Sequence, residues 1–185
     1  MLLNIYHTKF LDIFFRIITN LGDGILCIAF GIVLFLFKRK KKATTLLLAY
    51  SSSSILAQVA KRVFDLPRPR LLLEQMNVQY LNFVPDVDVH NYHSFPSGHT
   101  TSAFALATVL VLIYKKRKFS LPCILLAILV GYSRIYLAQH FPIDVFFGII
   151  LGVFCALISY YQVYDLKLFR SLKAVKRLKK SQIQY

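Results

Sequence analysis

Apolar residues in this chain occur in long runs that short, strongly polar turns separate. Five runs approach the length of about 20 residues that a bilayer-spanning helix needs. They cover residues 21–37, 43–60, 101–114, 119–138 and 141–164. A hydrophobic content of 57% leaves too little polar surface for a soluble domain. The pattern therefore predicts an all-α fold, a polytopic membrane helical bundle with these runs as its spans.

A sixth apolar segment, at residues 2–18, differs from the others. Lys9, Asp12 and Arg16 recur along it at helical spacing, which predicts one charged stripe on an otherwise apolar helix. Such a helix either crosses the bilayer or lies along its surface, so we expect five to six spans. The predicted divisions are an N-terminal amphipathic or spanning helix at 1–20, a membrane domain at 21–165 and a basic tail at 166–185.

Positive charge is concentrated in a few places along the chain. Most of the 23 lysines and arginines lie in the turns at 38–42 and 115–118 and in the C-terminal tail. Loops rich in lysine and arginine stay on the cytoplasmic side of a membrane, so both turns and the tail are predicted to be cytoplasmic. We expect no nucleic-acid partner, because no recognised binding motif accompanies the net charge of +15.

Three short polar clusters lie at those ends of the apolar runs that are opposite the basic turns. They are Lys61 with Arg68-Pro69, then Pro96-Ser97-Gly98-His99, and then Ser133-Arg134 with His140 and Asp144. Counting crossings from the basic turns places all three clusters on the extracytoplasmic side. Ionisable groups beside a membrane core are costly and usually functional, so we expect one site to collect them.

His140 and Asp144 carry the most specific chemistry. They are four residues apart, and Pro142 suits the first turn of a helix, so the two side chains can share one face. If Asp144 accepts the proton of one ring nitrogen, the other nitrogen keeps its lone pair free to attack phosphorus. The alternative is a helix-capping carboxylate beside an unrelated histidine.

Cations in all three clusters suit a phosphoryl group. Lys61, Arg68 and Arg134 can surround the equatorial oxygens of a phosphoryl transition state, and this chemistry requires no metal or other cofactor. The alternative is a belt of cations at the membrane surface, which is our interpretation of Arg62 and Arg70.

The second cluster adds backbone and proton-transfer groups. Ser97 is predicted to cap a helix, and Gly98 lets the backbone approach an anion closely. His99 then stands where it can protonate a leaving oxygen near neutral pH.

The order and spacing of the three clusters resemble the signature motifs of the type 2 phosphatidic acid phosphatase (PAP2) family, and every signature position is matched. The resemblance extends over about residues 20–165 and implies the helical core that the family shares with acid phosphatases. It also implies that His140 is a nucleophile forming a phosphohistidine, with Asp144 as its partner and His99 as the general acid that later activates water. The implied phosphate-binding residues are Lys61, Arg68, Ser97, Gly98 and Arg134.

These observations predict an integral protein of the cell (inner) membrane that hydrolyses the phosphate or diphosphate headgroup of a lipid at the extracytoplasmic face. Undecaprenyl diphosphate, phosphatidylglycerol phosphate, phosphatidic acid and lipid A are candidate substrates, and the motifs do not choose among them. Two alternatives stay open: a phosphotransferase that uses the same site, and a non-catalytic membrane scaffold or transporter. A metal site in the loop at 71–95 is a further alternative, although its candidate ligands lack a compact arrangement. They are Glu74, Asp86, Asp88, His90 and His93.

Overall fold

The computed structural model describes residues 7–77, 83–85, 87 and 90–164, and this part of the chain is helical apart from short connections. Its α-helices are α1 (Lys9–Thr19), α2 (Gly24–Leu36), α3 (Lys40–Phe64), α4 (Pro69–Gln75), α5 (Gly98–Tyr114), α6 (Arg117–Tyr136) and α7 (Pro142–Tyr164). A single 3-10 turn, Asn20–Gly22, joins α1 to α2. The predicted all-α class is confirmed for the described residues.

Helix α5 lies at the centre of the bundle. It packs against α3, α6 and α7, while α3 also packs along α7. Ala103, Ala105 and Val109 of α5 are all buried, which explains why its sequence has no polar face. Helix α2 packs on the outside of α3, and α1 packs on α6.

Two glycines on α7 set how closely α5 and α7 approach. A Cβ atom at Gly148 would stand 2.9 Å from the carbonyl oxygen of Ser97, and one at Gly152 would stand 2.5 Å from that of Thr101. Any larger residue would push the helices apart, as in other helix pairs with small residues four apart. This close approach brings the first turn of α7, which carries Asp144, beside the first turn of α5.

Three helical segments in the described part of the chain are long and apolar enough to span a membrane. They are Lys40–Gln75, Arg117–Tyr136 and Pro142–Tyr164. The pair Lys9–Gly22 and Gly24–Leu36, bent by 52°, would make a fourth span if it crosses as one unit. The predicted count of five to six spans is not confirmed, because α5 has only 17 residues and α2 only 13.

The basic turn before α3 lies at one end of the bundle. The Lys42 ammonium stands 4.1 Å from the ring centroid of Tyr114, at the end of α5. Likewise, the Lys41 ammonium stands 5.7 Å from the ring centroid of Tyr164, at the end of α7. Since α3 starts here while α5 and α7 end here, the opposite ends of these three helices meet at the other end of the bundle.

Helix α1 is held against α6 by polar contacts as well as by packing. The Tyr136 hydroxyl donates a 2.6 Å hydrogen bond to Oδ1 of Asp12, and the His7 ring stacks on the Tyr136 ring at 4.3 Å between centroids. Phe15 is buried beside the same tyrosine. Asp12 therefore contacts α6. Lys9, Asp12 and Arg16 also line one side of α1, as their spacing predicted.

Candidate active site

The three polar clusters meet at the end of the bundle away from the basic turn. Lys61 lies in the last turn of α3, Gly98 begins α5, Arg134 lies near the end of α6 and Asp144 lies in the first turn of α7. The Ser97 N–H donates to the carbonyl of Asp144 at 3.0 Å, which joins the second cluster to the third directly. The expected convergence of the clusters is therefore present in the fold.

A tight turn after α6 places His140. Ala138 adopts a left-handed backbone with φ of 53°, and its N–H donates to the carbonyl of Ile135 at 3.0 Å. The N–H groups of Gln139 and His140 both donate to the carbonyl of Arg134, at 2.9 and 3.1 Å. This arrangement is a Schellman helix end. It reverses the chain so that Arg134, Gln139 and His140 are tied together.

Asp144 receives hydrogen bonds from several groups in the site. Its Oδ2 accepts from the Ser94 hydroxyl at 2.5 Å and from the Phe141 N–H at 2.9 Å, and it lies 3.5 Å from Nδ1 of His140. The bond to the Phe141 N–H is the capping interaction of a residue in the first helical turn. One carboxylate therefore both caps α7 and faces the histidine.

His140 is buried between α6 and α7 and faces Asp144 through Nδ1. Burial lowers the pKa of its imidazole below the ordinary value of 6.5, and the charges of Arg134, Arg68 and Lys61 lower it further against the opposing effect of Asp144. At neutral pH the imidazole is uncharged, which is the form that can act as a nucleophile.

Arg68 and Arg134 are both buried, with 6% and 7% of their surfaces exposed. Arg68 donates through Nε to the carbonyl of Tyr92 at 3.1 Å, and Arg134 donates through Nη1 to the hydroxyl of Thr19 at 2.7 Å. Both also donate to Oε1 of Gln139. Neither arginine forms an ion pair within the described ranges, and the Arg134 Nε is buried there without a partner.

Buried cations whose partners are neutral oxygens create a strongly positive site. Removing a guanidinium from water is costly unless a counter-charge compensates it. The carboxylate of Asp144 lies close enough to act on Arg68, but two arginines and a lysine exceed its single charge. The arrangement therefore favours binding of a multiply charged anion.

Lys61 and Arg68 also hold the segment that leads into the second cluster. The Lys61 ammonium donates to the carbonyl of His93 at 2.9 Å, and the Arg68 backbone N–H donates to that of Asn91 at 2.7 Å. The Ser94 N–H donates to the carbonyl of Leu66 at 3.0 Å. These bonds fix the position from which Ser94 reaches Asp144.

Ser97 stands at the predicted cap position of α5, but it makes no side-chain cap bond. Its hydroxyl instead accepts from the hydroxyl of Thr100 at 2.9 Å. The first intrahelical bond is donated by Thr101 to the Ser97 carbonyl, so the preceding N–H groups point out of the helix end. The prediction that the Ser97 side chain caps α5 is wrong, because the Ser97 hydroxyl is hydrogen-bonded to the Thr100 hydroxyl and not to a backbone N–H of the helix.

Gly98 faces open space. A Cβ atom added there would have no neighbouring atom within 4 Å, so packing does not require a glycine at this position. The adjacent His99 packs against Gly22, whose added Cβ would stand 2.9 Å from the His99 carbonyl oxygen. The positive charges of Arg134, Lys61 and Arg68 act on the His99 imidazole, which places it beside the same cluster.

Sequence reasoning assigned no role to three polar residues of the site. Ser94, Gln139 and Thr19 all make buried hydrogen bonds to residues of the signature motifs. Ser94 and Gln139 lie within two residues of motif positions, and that adjacency was an available signal. Thr19 had no such signal, since it is 115 residues away from its partner Arg134 along the chain.

The alternative of a metal site in the loop at 71–95 gains no support. Asp86 and Asp88 lie outside the described residues. Within the described part, no three histidine, cysteine, aspartate or glutamate side chains come close enough to hold a metal ion. His93 instead contacts Asp65 through Nδ1 at 3.0 Å, at the exposed end of α3.

Comparison with known proteins identifies the family of this fold and site. The family model described as "PAP2 superfamily" matches residues 42–168, a range that contains all three clusters. The chain belongs to the PAP2 superfamily. This membership confirms the resemblance read from the signature motifs.

Solved structures of PAP2 proteins share the fold. The crystal structure of Aquifex aeolicus LpxE is 37% identical with a TM-score of 0.75, covering 85% of this chain and 90% of that one. The transmembrane PAP2-type phosphatidylglycerolphosphate phosphatase of Bacillus subtilis is 26% identical with a TM-score of 0.67, covering 85% of this chain and 78% of that one.

A curated relative of this PAP2 chain is the undecaprenyl-diphosphatase of Sulfolobus acidocaldarius. The two are 31% identical over 134 residues, which make up 69% of this chain. The match spans only 58% of the length of the Sulfolobus protein.

Proposed function

We propose that this chain is a membrane phosphatase that hydrolyses the phosphate or diphosphate headgroup of a lipid through a phosphohistidine intermediate on His140. The observation that carries this proposal is the pair of buried arginines, Arg68 and Arg134, held by neutral oxygens beside an uncharged histidine. A phosphate group supplies the missing negative charge, and the histidine supplies the nucleophile.

Binding of the phosphate group uses side chains and backbone together. Arg68, Arg134 and Lys61 neutralise its oxygens, and arginine can do so with two parallel hydrogen bonds. The N–H groups at the start of α5 add donors at the positive end of a helix dipole. Gly98 leaves room for the anion there, while Ser97 fixes the position of that turn through its bond to the Asp144 carbonyl.

The reaction then proceeds in two displacements at phosphorus. His140 attacks through Nε2 while Asp144 holds the Nδ1 side of the ring. The bond from phosphorus to the lipid oxygen breaks, and His99 gives that oxygen its proton. In the second step His99 removes a proton from water, the resulting hydroxide attacks phosphorus, and the bond to His140 breaks to release phosphate.

The site faces the extracytoplasmic side in our proposal. The basic turn before α3 contacts the far ends of α5 and α7, and such turns stay in the cytoplasm. We propose that α2, α3, α5, α6 and α7 make five crossings, with the short α5 shielded by its neighbours. Cysteine labelling of intact cells tests this orientation, since His90→Cys should react from outside and Lys40→Cys should not.

A lipid is the proposed carrier of the phosphate. Exposed large apolar side chains along α6 and α7 support a position of the site at the edge of a hydrocarbon phase, where lipid headgroups lie. The relatives named for undecaprenyl diphosphate and phosphatidylglycerol phosphate make these two the first substrates to test. Phosphatidic acid and lipid A complete the panel.

The test is hydrolysis of this panel by the purified chain in detergent with EDTA present. We expect release of inorganic phosphate from at least one lipid, with no release by His140→Ala and normal release by the control His90→Ala, whose side chain is exposed. Failure of every substrate, or full activity of His140→Ala, would overturn the proposal. Transfer of phosphate to an added alcohol in place of water would identify a phosphotransferase.

A further inference from the structure

Gln139 lies between the two buried arginines and contacts both. Its Oε1 accepts from Nη1 of Arg68 at 3.0 Å and from Nη2 of Arg134 at 3.3 Å, and only 2% of the residue is exposed. We propose that Gln139 is a positioning residue that holds Arg68 and Arg134 together as one phosphate-binding pair. This inference rests on the proposed function, and it gives a role to a residue that the signature motifs leave unspecified.

Without a shared acceptor, electrostatic repulsion would move the two guanidinium groups apart. Like charges repel, and the repulsion is stronger in a buried site than in water. The other hydrogen bonds hold each arginine to a different part of the fold: Arg68 to the segment carrying Tyr92, and Arg134 to Thr19 of α1. Because both guanidinium groups bind one Gln139 oxygen, their donor nitrogens cannot lie farther apart than the sum of the two bond distances.

The backbone of Gln139 fixes the place of this oxygen. Its N–H donates to the Arg134 carbonyl at 2.9 Å, within the turn that also positions His140. The side chain of Gln139 therefore starts from a point that is rigid relative to both Arg134 and the nucleophile. Changes in the position of the arginine pair and of the histidine are coupled through this residue.

An amide suits this role better than a carboxylate does. Arginine offers only donors, so the amide oxygen of Gln139 must face both guanidinium groups. A carboxylate would make the same two contacts more strongly. However, its negative charge would also cancel one of the two positive charges that bind the phosphate group. Gln139 thus fixes the geometry of the pair and leaves its full charge available.

The experiment measures binding of inorganic phosphate to the full chain in detergent, from the concentration dependence of its thermal stabilisation. Gln139→Leu removes the oxygen, and Gln139→Glu keeps it but adds a negative charge. Matched controls are Gln162→Leu and Gln162→Glu, because Gln162 is exposed near the far end of α7. The lipid hydrolysis rate of each variant is measured in parallel.

We expect both Gln139 variants to bind phosphate about 10-fold more weakly or worse, and both controls to stay within about two-fold of the wild type. The two variants should differ in the absence of phosphate: Gln139→Glu should melt at a higher temperature than the wild type, because its carboxylate compensates the buried arginines. A purely structural role would alter the melting temperature without altering the phosphate affinity of the folded protein.

Phosphate affinity within about two-fold of wild type in Gln139→Leu would overturn the inference. If Gln139→Leu does not fold, Gln139→Met replaces it, because its side chain has a similar length but no amide oxygen. Wild-type phosphate affinity in that variant overturns the inference equally. Because binding is measured without turnover, the two proposals fail separately. A wild type that binds phosphate as described but hydrolyses no lipid contradicts the proposed function alone.

Discussion

The Ser94 hydroxyl donates a 2.5 Å hydrogen bond to Oδ2 of Asp144, and both residues are buried. The same hydroxyl lies 3.5 Å from Nδ1 of His140. Ser94 therefore stands where the carboxylate meets the imidazole. Its bond links the segment before the second cluster to the end of the third and keeps the carboxylate oriented toward the ring.

Ser94→Ala should slow catalysis without unfolding the protein. A hydrogen bond to a charged group contributes about 1.5–3 kcal/mol, which corresponds to a loss of about 10- to 100-fold in kcat if Asp144 must be held for attack. The measurement is kcat on a lipid of the panel together with the melting temperature. Ser51→Ala, at an exposed position of α3, is the control. Wild-type kcat in Ser94→Ala would show that Asp144 is oriented without the serine.

Gly98 and Gly148 offer a matched pair of substitutions. Gly98→Ala meets no atom within 4 Å, whereas Gly148→Ala would bring Cβ within 2.9 Å of the Ser97 carbonyl oxygen. We expect Gly98→Ala to keep its melting temperature and lose phosphate binding, because the new methyl group occupies the space proposed for the anion. Gly148→Ala should be destabilised by about 1–3 kcal/mol through overpacking. Thermal unfolding with and without phosphate separates the two effects, and tight phosphate binding by Gly98→Ala would contradict the proposed location.

Much of the fold follows from the distribution of apolar residues. The runs at 21–37, 43–60 and 119–138 correspond to α2, α3 and α6, because long apolar segments have few alternatives to a packed helix. Convergence of the clusters was also predictable, since each stands at the end of a run. The number of crossings was less so, because the length of α5 alone does not decide whether it spans.

Details within the site depended on tertiary contacts. Ala138 has a left-handed backbone where glycine is the usual residue, so the turn that positions His140 has no sequence marker. The sequence predicted that Ser97 caps α5, but the hydroxyl of Ser97 accepts a hydrogen bond from the hydroxyl of Thr100 instead. The contact of Thr19 with Arg134 joins distant parts of the chain, and neither local propensity nor helical periodicity reports such a pairing.

Thr19→Val should weaken phosphate binding although α1 lies outside the matched family range. The substitution keeps the shape of the side chain but removes the oxygen that Arg134 contacts at 2.7 Å. We expect the dissociation constant for inorganic phosphate to rise about 10-fold, the effect of one hydrogen bond to a charged group. Thr44→Val, at an exposed position of α3, should bind phosphate normally. Equal affinity in both variants would mean that α1 supports only the stability of the fold.

The stability of the fold should depend on the protonation of His140. Its pKa in the folded protein is lower than the ordinary value of 6.5, so between these two values the unfolded chain binds a proton that the folded chain excludes. The folded state consequently loses stability as the pH falls below about 6.5, by about 1–2 kcal/mol at a pH of about 5. In His140→Asn the drop in melting temperature between a pH of about 7.5 and about 5 should be smaller than in the wild type. An identical drop in both proteins would contradict a neutral, buried His140.

Trapping the phosphorylated protein is the most direct test of whether His140 is the nucleophile. Wild-type protein is mixed with a lipid of the panel that it hydrolyses, in which the phosphate is labelled. The reaction is quenched in alkali, which preserves phosphohistidine. Mass spectrometry of the peptides then locates the phosphoryl group. We expect the label on His140, with no label and no turnover in His140→Ala. A phosphoryl group on another residue, or undiminished turnover by His140→Ala, would contradict a phosphohistidine intermediate on His140.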